Sequence, residues 1–395
     1  MALKSICYPV RPHAPTTPCI PQPPRRTEPL RPEPMDDAFD RILVICTRQI
    51  GDVLLTTPLI RAARERWPAA RIDVLGFAGT LGMLRGNPDI DELIETPARI
   101  GGRELLALTR RLWRRYDLGL VAEASDRAHL LAWIAARHRS GVLPAEGGSN
   151  WLKRRLLDHA VTSTGDEGNR HAVQEKLELL APWRDASEAP AVVAPPGAPL
   201  PPELEAQLRE RPVVVHVPSM WPYKQWSPDY YAQVVRALLD RGHQVVLTGG
   251  PGARDRECIA PLLALAGPPA LIDASARLDF NQLVTLLQRA ALYLGPDTSV
   301  SHLAAAAGAP TLAIFGPTNP LRWAPWPGRP GEQPVHFHRR ALQQSAGNVT
   351  LLQSDLPCVP CGKAGCEDHR QSRSDCLIAI TPERVIATAL AMLGE

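Results

Sequence analysis

Thr298 and Ser299 stand where an apolar run, residues 291–294, has just ended at Gly295 and an alanine-rich stretch, residues 301–307, begins. Ser and Thr are natural N-caps, and the alanines propagate a helix until Gly308 stops it. A helix N-terminus here would offer free N–H groups and the positive end of a dipole, a seat for an anion. His302 comes one turn later on the same face, where it either contacts the bound group or packs beneath it. Asp52 is a second candidate. It follows Gly51 on the turn after the apolar run 41–46, and a carboxylate at a strand's carboxyl end can take a proton from an attacking hydroxyl or merely cap the next helix. A third feature is Cys358, Cys361, Cys366 and Cys376, spaced C-x2-C-x4-C-x9-C with His369 between the last two. Four thiols this close could bind a structural zinc; the later spacings match no common finger, and redox-sensitive free thiols are the alternative.

An alternation of strands and helices must position these groups. Residues 41–46 (RILVIC), 71–77, 92–96 and 118–122 read as strands, separated by helical patterns at 58–67, 80–85 and 103–115. The same grammar returns with strands at 213–217, 244–247, 291–294 and 311–315 and helices at 228–241, 280–290 and 301–307. The fold class is therefore α/β, with two doubly wound Rossmann-like domains facing across a cleft and ligands at the carboxyl ends of the strands. The expected organisation is a disordered Pro-rich extension (1–40), an N-terminal domain (41–184), a Pro-rich linker (185–212), a C-terminal domain (213–335), and a Cys-rich segment with a terminal helix (336–395). Met35 precedes the first strand closely enough that translation could start there instead of at Met1.

Composition narrows the class. A net charge of +3, from 44 basic and 41 acidic residues in 395, does not suggest a nucleic-acid binder. No apolar run approaches the ~20 residues of a membrane helix, and the N-terminus has no secretory h-region. Eight cysteines are too few for a disulfide scaffold of this length, so a reducing, cytoplasmic setting is expected.

Four stretches, 48–58 (RQIGDVLLTTP), 218–226 (PSMWPYKQW), 248–252 (TGGPG) and 295–320 (GPDTSVSHLAAAAGAPTLAIFGPTNP), together resemble the successive signatures of the lipopolysaccharide heptosyltransferases, glycosyltransferase family 9. The first stretch and the cysteine-rich tail are most similar to the heptosyltransferase III branch. The resemblance implies a GT-B transferase of Gram-negative bacteria that moves heptose from an ADP-heptose donor, with inversion and without a catalytic metal. The acceptor would be a hydroxyl of the lipid-anchored core oligosaccharide, reached by peripheral contact with the cytoplasmic face of the inner membrane. Asp52 would be the general base, with Gly51 leaving room for close approach and Arg48 beside the acceptor. Lys224, in a loop flanked by Trp221 and Trp226, would neutralise the departing diphosphate; its bland alternative is a solvated surface charge. Ser219 would donate to a phosphate, whereas Met220 stands where the family often has another hydroxyl. Gly250, Thr298, Ser299 and His302 would line the donor site. Asp297, repelled by phosphate, would hold sugar or ribose hydroxyls or orient its loop. After TGGPG the family's usual acidic residue is replaced by Ala253 and Arg254, so that either Asp255 or Glu257 takes over the ribose or the contact is lost.

The basic runs at 110–115 and 153–155, with Arg110 and Arg114 as acceptor candidates, could be solvated helix faces or could meet acceptor phosphates or anionic lipid. The acidic pair Asp89 and Asp91 reads as solvated, and the terminal helix is expected to cross back to the first domain. Two other functions stay open at this point. One is a GT-B enzyme using another nucleotide sugar; the other is a catalytically silent nucleotide-binding scaffold. No G-x-x-x-x-G-K-[ST] or G-x-G-x-x-G supports a P-loop or dinucleotide site.

Overall fold

A computed structural model describes residues 38–147, 150–166, 168–184, 190–267, 269–327 and 337–395. Residues 1–37 of the expected extension, the start of the linker and the end of the expected C-terminal domain lie outside the described residues. The chain runs β1 (Arg41–Cys46), α1 (Ile50–Leu54), α2 (Thr57–Arg66), β2 (Arg71–Phe77), β3 (Glu92–Thr96), α3 (Gly102–Leu112), β4 (Tyr116–Val121), α4 (Asp126–Ala135), β5 (Ala136–Leu143), α5 (Asn150–Leu156) and β6 (His159–Thr162). Then come α6 (Ala172–Leu177) and α7 (Pro202–Glu205), followed by β7 (Val213–His216), α8 (Pro228–Leu239), β8 (Val245–Thr248), α9 (Ala253–Leu263), β9 (Leu271–Asp273) and α10 (Phe280–Arg289). The chain closes with β10 (Leu292–Pro296), α11 (Ser299–Ala306), β11 (Thr311–Ile314), α12 (Pro320–Trp323), β12 (Gln343–Ala346), β13 (Val349–Leu352), α13 (Asp375–Ile378) and α14 (Pro382–Leu393).

Two sheets result. The first has the order β3-β2-β1-β4-β5-β6 and is parallel throughout. The second has the order β12-β13-β11-β10-β7-β8-β9 and is parallel except for β12 at its edge. Strand order therefore reverses between β1 and β4 in one sheet and between β7 and β10 in the other. Doubly wound sheets open a crevice at such switch points. The chain leaves β1 directly into Asp52, β7 into Lys224 and β10 into Asp297, so both crevices carry chemistry.

β1 reads RILVIC because both its faces are covered. Leu43 and Ile45 pack with Leu108, Leu112, Leu131 and Ala132 of α3 and α4. Ile42, Val44 and Cys46 belong to a larger core containing Leu54, Leu59 and Ile60, and that core continues into Val214, Leu283, Tyr293 and Leu303 of the second half. The two halves thus share apolar packing behind the crevice.

Polar contacts pin the same junction. The buried Arg322 guanidinium donates twice to Glu175, at 3.0 Å each. Asn319 donates to the carbonyls of Asp166 and Gly168, and His171 Nε2 donates to the Ala324 carbonyl at 2.9 Å. Burial alone would raise the Glu175 pKa, but Arg322 holds it below the ordinary value. Losing one partner of such a buried pair typically costs about 3–5 kcal/mol.

The terminal helix differs from expectation. α14 buries Val385 and Ala389 with Tyr231, Val234 and Val235 of α8, so it stays with the second half. Its apolar face meets a complementary helix in its own half and has no cause to cross. Asp89 and Asp91 are not merely solvated either: Asp89 pairs with Arg61 at 2.5 Å and Asp91 with Arg64 at 2.7 Å.

Candidate active site

A cavity of about 420 Å³ opens where the two switch points face each other. Its wall takes Arg48 from the β1–α1 turn, Gly51 and Asp52 from α1, Ser219, Met220 and Lys224 from the loop after β7, Asp297 and Thr298 from the β10–α11 turn, and Ser299 and His302 from α11. These predicted residues come together although Arg48 and His302 stand 254 positions apart.

Three carboxylates reach the wall, and their partners differ. Asp297 is buried and holds Lys224 Nζ at 2.6 Å. Burial pushes the Lys224 pKa down and the Asp297 pKa up, but their mutual attraction overrides both, so the ammonium sits above and the carboxyl below its usual range. Lys224 is thus a positioned charge, not a solvated one. Asp166 accepts the Trp323 indole N–H at 3.0 Å. Asp52 alone of the three has a carboxylate without a hydrogen-bond or ion-pair partner among the described residues. It is not a cap, because Gln49 occupies the N-cap of α1 and Asp52 lies inside the helix. What holds Asp52 is its carbonyl, which accepts from Lys176 Nζ at 2.6 Å and Thr56 Oγ1 at 2.8 Å. Those bonds satisfy the backbone at the break between α1 and α2 and fix the turn that presents the carboxylate.

Opposite Asp52, Thr298 occupies the N-cap of α11 in extended conformation, yet its side chain makes no capping bond. The amides of Ser299 and Val300 precede the first in-helix bond, from Ser301 N to the Thr298 carbonyl. The hydroxyl and the amides can therefore all serve a bound anion. Gly51 brings α1 against this helix: a Cβ there would lie 3.5 Å from His302 Cδ2 and 3.6 Å from Ser299 Cα, an ordinary contact. Ser219 is buried, with its amide held by Gln225 Oε1 at 2.8 Å.

His302 is buried, and no partner meets its Nδ1 among the described residues. Burial pushes its pKa down to about 4, with Asp297 opposing and Lys224 reinforcing the shift. At neutral pH it is uncharged, suited to a hydroxyl rather than to neutralising phosphate. Burial likewise lowers His171 to about 3 and His216 to about 4. In the unfolded chain these rings protonate near pH 6.5, so their stabilising effect is complete above that pH and is lost as pH falls toward 4. Each histidine contributes a slope of about 1.4 kcal/mol per pH unit in this window. Urea unfolding at pH 7.0 and 5.0 should show a clearly lower midpoint at pH 5.0; equal midpoints would contradict the neutral, buried rings.

Other candidates lie elsewhere. Gly250 is off the cavity wall, and its N–H is taken by Asp255 Oδ2 at 2.7 Å. Asp255 therefore closes its own turn and, like Glu257, is absent from the wall. Arg110 and Arg114 sit at the far end of α3 and the residues after it, exposed and away from the cavity. Cys358 and Cys366 are exposed, Cys361 is half-buried and Cys376 is buried, all as free thiols. Burial, with the other thiols adding to it, pushes Cys376 up to about 12. Among the described residues no three His, Cys, Asp or Glu side chains gather in a group that could hold a metal ion.

The tail has a different part at the site. Gly362, Lys363 and Arg370 line the cavity, and Arg370 stacks 4.6 Å from the centre of the Trp221 ring. Ser374 Oγ donates to the Tyr223 carbonyl at 2.7 Å, steadying the turn that carries Lys224. The basic residues between the cysteines were the available signal for this wall, and the cysteine spacing drew attention away from them. Asp166 and Trp323 carried no signal at all.

A family model described as glycosyltransferase family 9 (heptosyltransferase) matches residues 105–341. The chain is 28% identical to lipopolysaccharide heptosyltransferase 3 of Escherichia coli K12 over 294 residues, 71% of this chain and 83% of that protein. It is 26% identical to lipopolysaccharide heptosyltransferase 2 of Salmonella typhimurium over 376 residues, 90% of this chain and 99% of that one. The solved structure of the E. coli ADP-heptose lipopolysaccharide heptosyltransferase II superposes with a TM-score of 0.65 at 24% identity, covering 89% of this chain and 98% of that one. That likeness extends over both sheets, as the GT-B fold requires.

Proposed function

Because the chain belongs to glycosyltransferase family 9, the heptosyltransferases, we propose that it transfers heptose from ADP-heptose to a hydroxyl of the lipopolysaccharide inner core, with inversion and without a metal. The observation that carries this reading is the unpartnered Asp52 carboxylate, facing a fixed ammonium and an open helix N-terminus across one cavity.

In the proposed step the acceptor hydroxyl oxygen attacks the anomeric carbon from the Asp52 side. Its proton passes to the Asp52 carboxylate, the new carbon–oxygen bond forms, and the bond to the diphosphate breaks with its electron pair leaving on ADP. General-base help of this kind is worth about 10²–10⁴-fold. Charge builds on the departing oxygen, where Lys224, the Thr298 hydroxyl, the α11 amides and Ser219 stabilise it. Fixed donors need no reorganisation as charge develops, which is the source of their effect. Neutral His302 accepts a sugar hydroxyl through Nδ1. Arg48, Lys363 and Arg370 give the remaining wall a cationic rim for an anionic acceptor. The enzyme works on a lipid-anchored acceptor at the cytoplasmic face of the inner membrane, as a peripheral protein with no spanning helix among its described residues.

Calorimetric titration of the purified protein with ADP, ADP-heptose, UDP and GDP in EDTA tests this. ADP and ADP-heptose should bind, and the other two should bind at least tenfold more weakly. Preference for UDP or GDP would move the assignment to a different sugar donor, an alternative kept open by the Asp255 carboxylate, which is engaged by the Gly250 amide and absent from the cavity wall. No binding at all would favour a silent scaffold.

A further inference from the structure

The large apolar side chains that this protein leaves exposed are concentrated on three helices of the first half. Leu106 on α3 and Trp113 just after it are 50% and 56% exposed; Leu130 and Trp133 of α4 and Trp151 and Leu152 of α5 are exposed too, with Trp151 at 63%. The helices are neighbours. The amide of Arg114, after α3, donates to the Ile134 carbonyl in α4, and Lys153 of α5 pairs with Asp126 of α4 at 2.5 Å. Leu108, Leu112, Leu131 and Ala132 point the other way, into the sheet. One face of each helix is therefore buried by the fold while a second apolar set faces out.

Charge identifies what covers it. Residues 103–115 hold five arginines against the single acid Glu104, and α5 adds Arg154 and Arg155. A net charge of +3 for the whole chain makes this a local field rather than a general one. A second copy of the chain would set arginine against arginine across a twofold axis, which is repulsive. Tryptophans and leucines interleaved with arginines suit the boundary of an anionic bilayer, where rings and stems sit at headgroup depth and guanidinium groups meet phosphate. We propose that the outer face of α3, α4 and α5 docks this protein onto an anionic lipid surface.

The placement fits the reaction. Lys153 Nζ also donates to the carbonyl of Ala124, and the neighbouring Glu123 carboxylate accepts from Thr47, next to Arg48 on the cavity wall. A lipid-anchored acceptor would meet α5 at the docking face and Arg48 at the cavity mouth. The inference rests on the proposed function for its purpose, since an acceptor held in a bilayer obliges the enzyme to work at that surface.

The test is co-sedimentation of the full chain with vesicles of phosphatidylcholine alone or with about one-third phosphatidylglycerol. Strong binding to the anionic vesicles, weakened by 0.5 M salt and slight on the neutral ones, is expected. Arg154→Glu with Arg155→Glu should reduce partitioning by roughly 25-fold or more, at about fivefold for each cation removed. Trp113→Ser with Trp151→Ser should reduce it roughly tenfold or more through lost apolar burial. Binding unchanged in both variants overturns the proposal, as does equal binding to neutral vesicles. A dimer in lipid-free solution that either variant dissociates also overturns it, in favour of a second copy. Transfer to a delipidated, water-soluble core acceptor separates the two readings. Both variants should retain it. If neither they nor the parent transfer heptose yet the parent still binds vesicles, the enzymatic reading fails and the docking face stands.

Discussion

Asp52→Asn lowers turnover at least a hundredfold and leaves ADP affinity within about twofold of the parent. The magnitude follows from general-base catalysis, whose usual range is 10²–10⁴. The side chain keeps its size and can still meet the acceptor hydroxyl, so what it loses is basicity. The proposed donor contacts, Lys224 and the α11 N-terminus, keep their own groups in this variant and should not sense the loss of basicity. Asp52 is singled out because its rivals are occupied: Asp297 holds Lys224 and Asp166 holds the Trp323 indole. Asp166→Asn is the matched control. It keeps an oxygen for the indole and should reduce turnover by no more than a few-fold. Single-turnover rates with saturating ADP-heptose would decide between them. Near-parental rates for Asp52→Asn, or a hundredfold loss for Asp166→Asn, would move the base to Asp166.

Much of this site was legible because it hangs on short-range rules. RILVIC reads as a strand covered on both faces, and Thr-Ser before an alanine run as the start of a helix, so the positions of Asp52 and the α11 N-terminus follow from local pattern. The resemblance supplied Lys224. The extra helix α1 was hidden inside the expected turn, because a five-residue helix held by Lys176 from 124 positions away leaves no periodic trace. β5 and β6 went unread for a related reason: ARHRSGVL has a charged first half exposed near the sheet's outer side, without the apolar run that marked β1. The Lys224–Asp297 pair, the Arg322–Glu175 junction and the tail's part in the cavity depend on which loops the fold brings together. Spacing says nothing about such pairings. The cysteines show the converse: a spacing that suggests metal does not by itself assemble a ligand set, and none forms among the described residues.

Lys224→Met should lower turnover by about 10²–10³, the usual effect of losing one fixed donor to a developing anion, and should weaken ADP binding as well. The single variant is ambiguous alone, because it also strands the Asp297 carboxylate. Burial already pushes Asp297 toward a raised pKa, and Lys224 is the main influence that keeps it ionised. Stranded, it would either stay charged and repel the diphosphate or take up a proton. Either way, part of the lost affinity would belong to Asp297. The double variant Lys224→Met/Asp297→Asn removes both members of the pair. If Lys224 meets the phosphates directly, the double variant stays as weak for ADP as the single one, and turnover remains low. If the lysine serves only to neutralise Asp297, the double variant regains most of the parental affinity. The Thr298 hydroxyl and the α11 amides would then be holding the diphosphate alone. Measuring ADP affinity across the four members of this cycle gives the coupling between the two residues. A strongly restored double variant would remove Lys224 from the transition state and leave it a positioning residue for the β10–α11 turn.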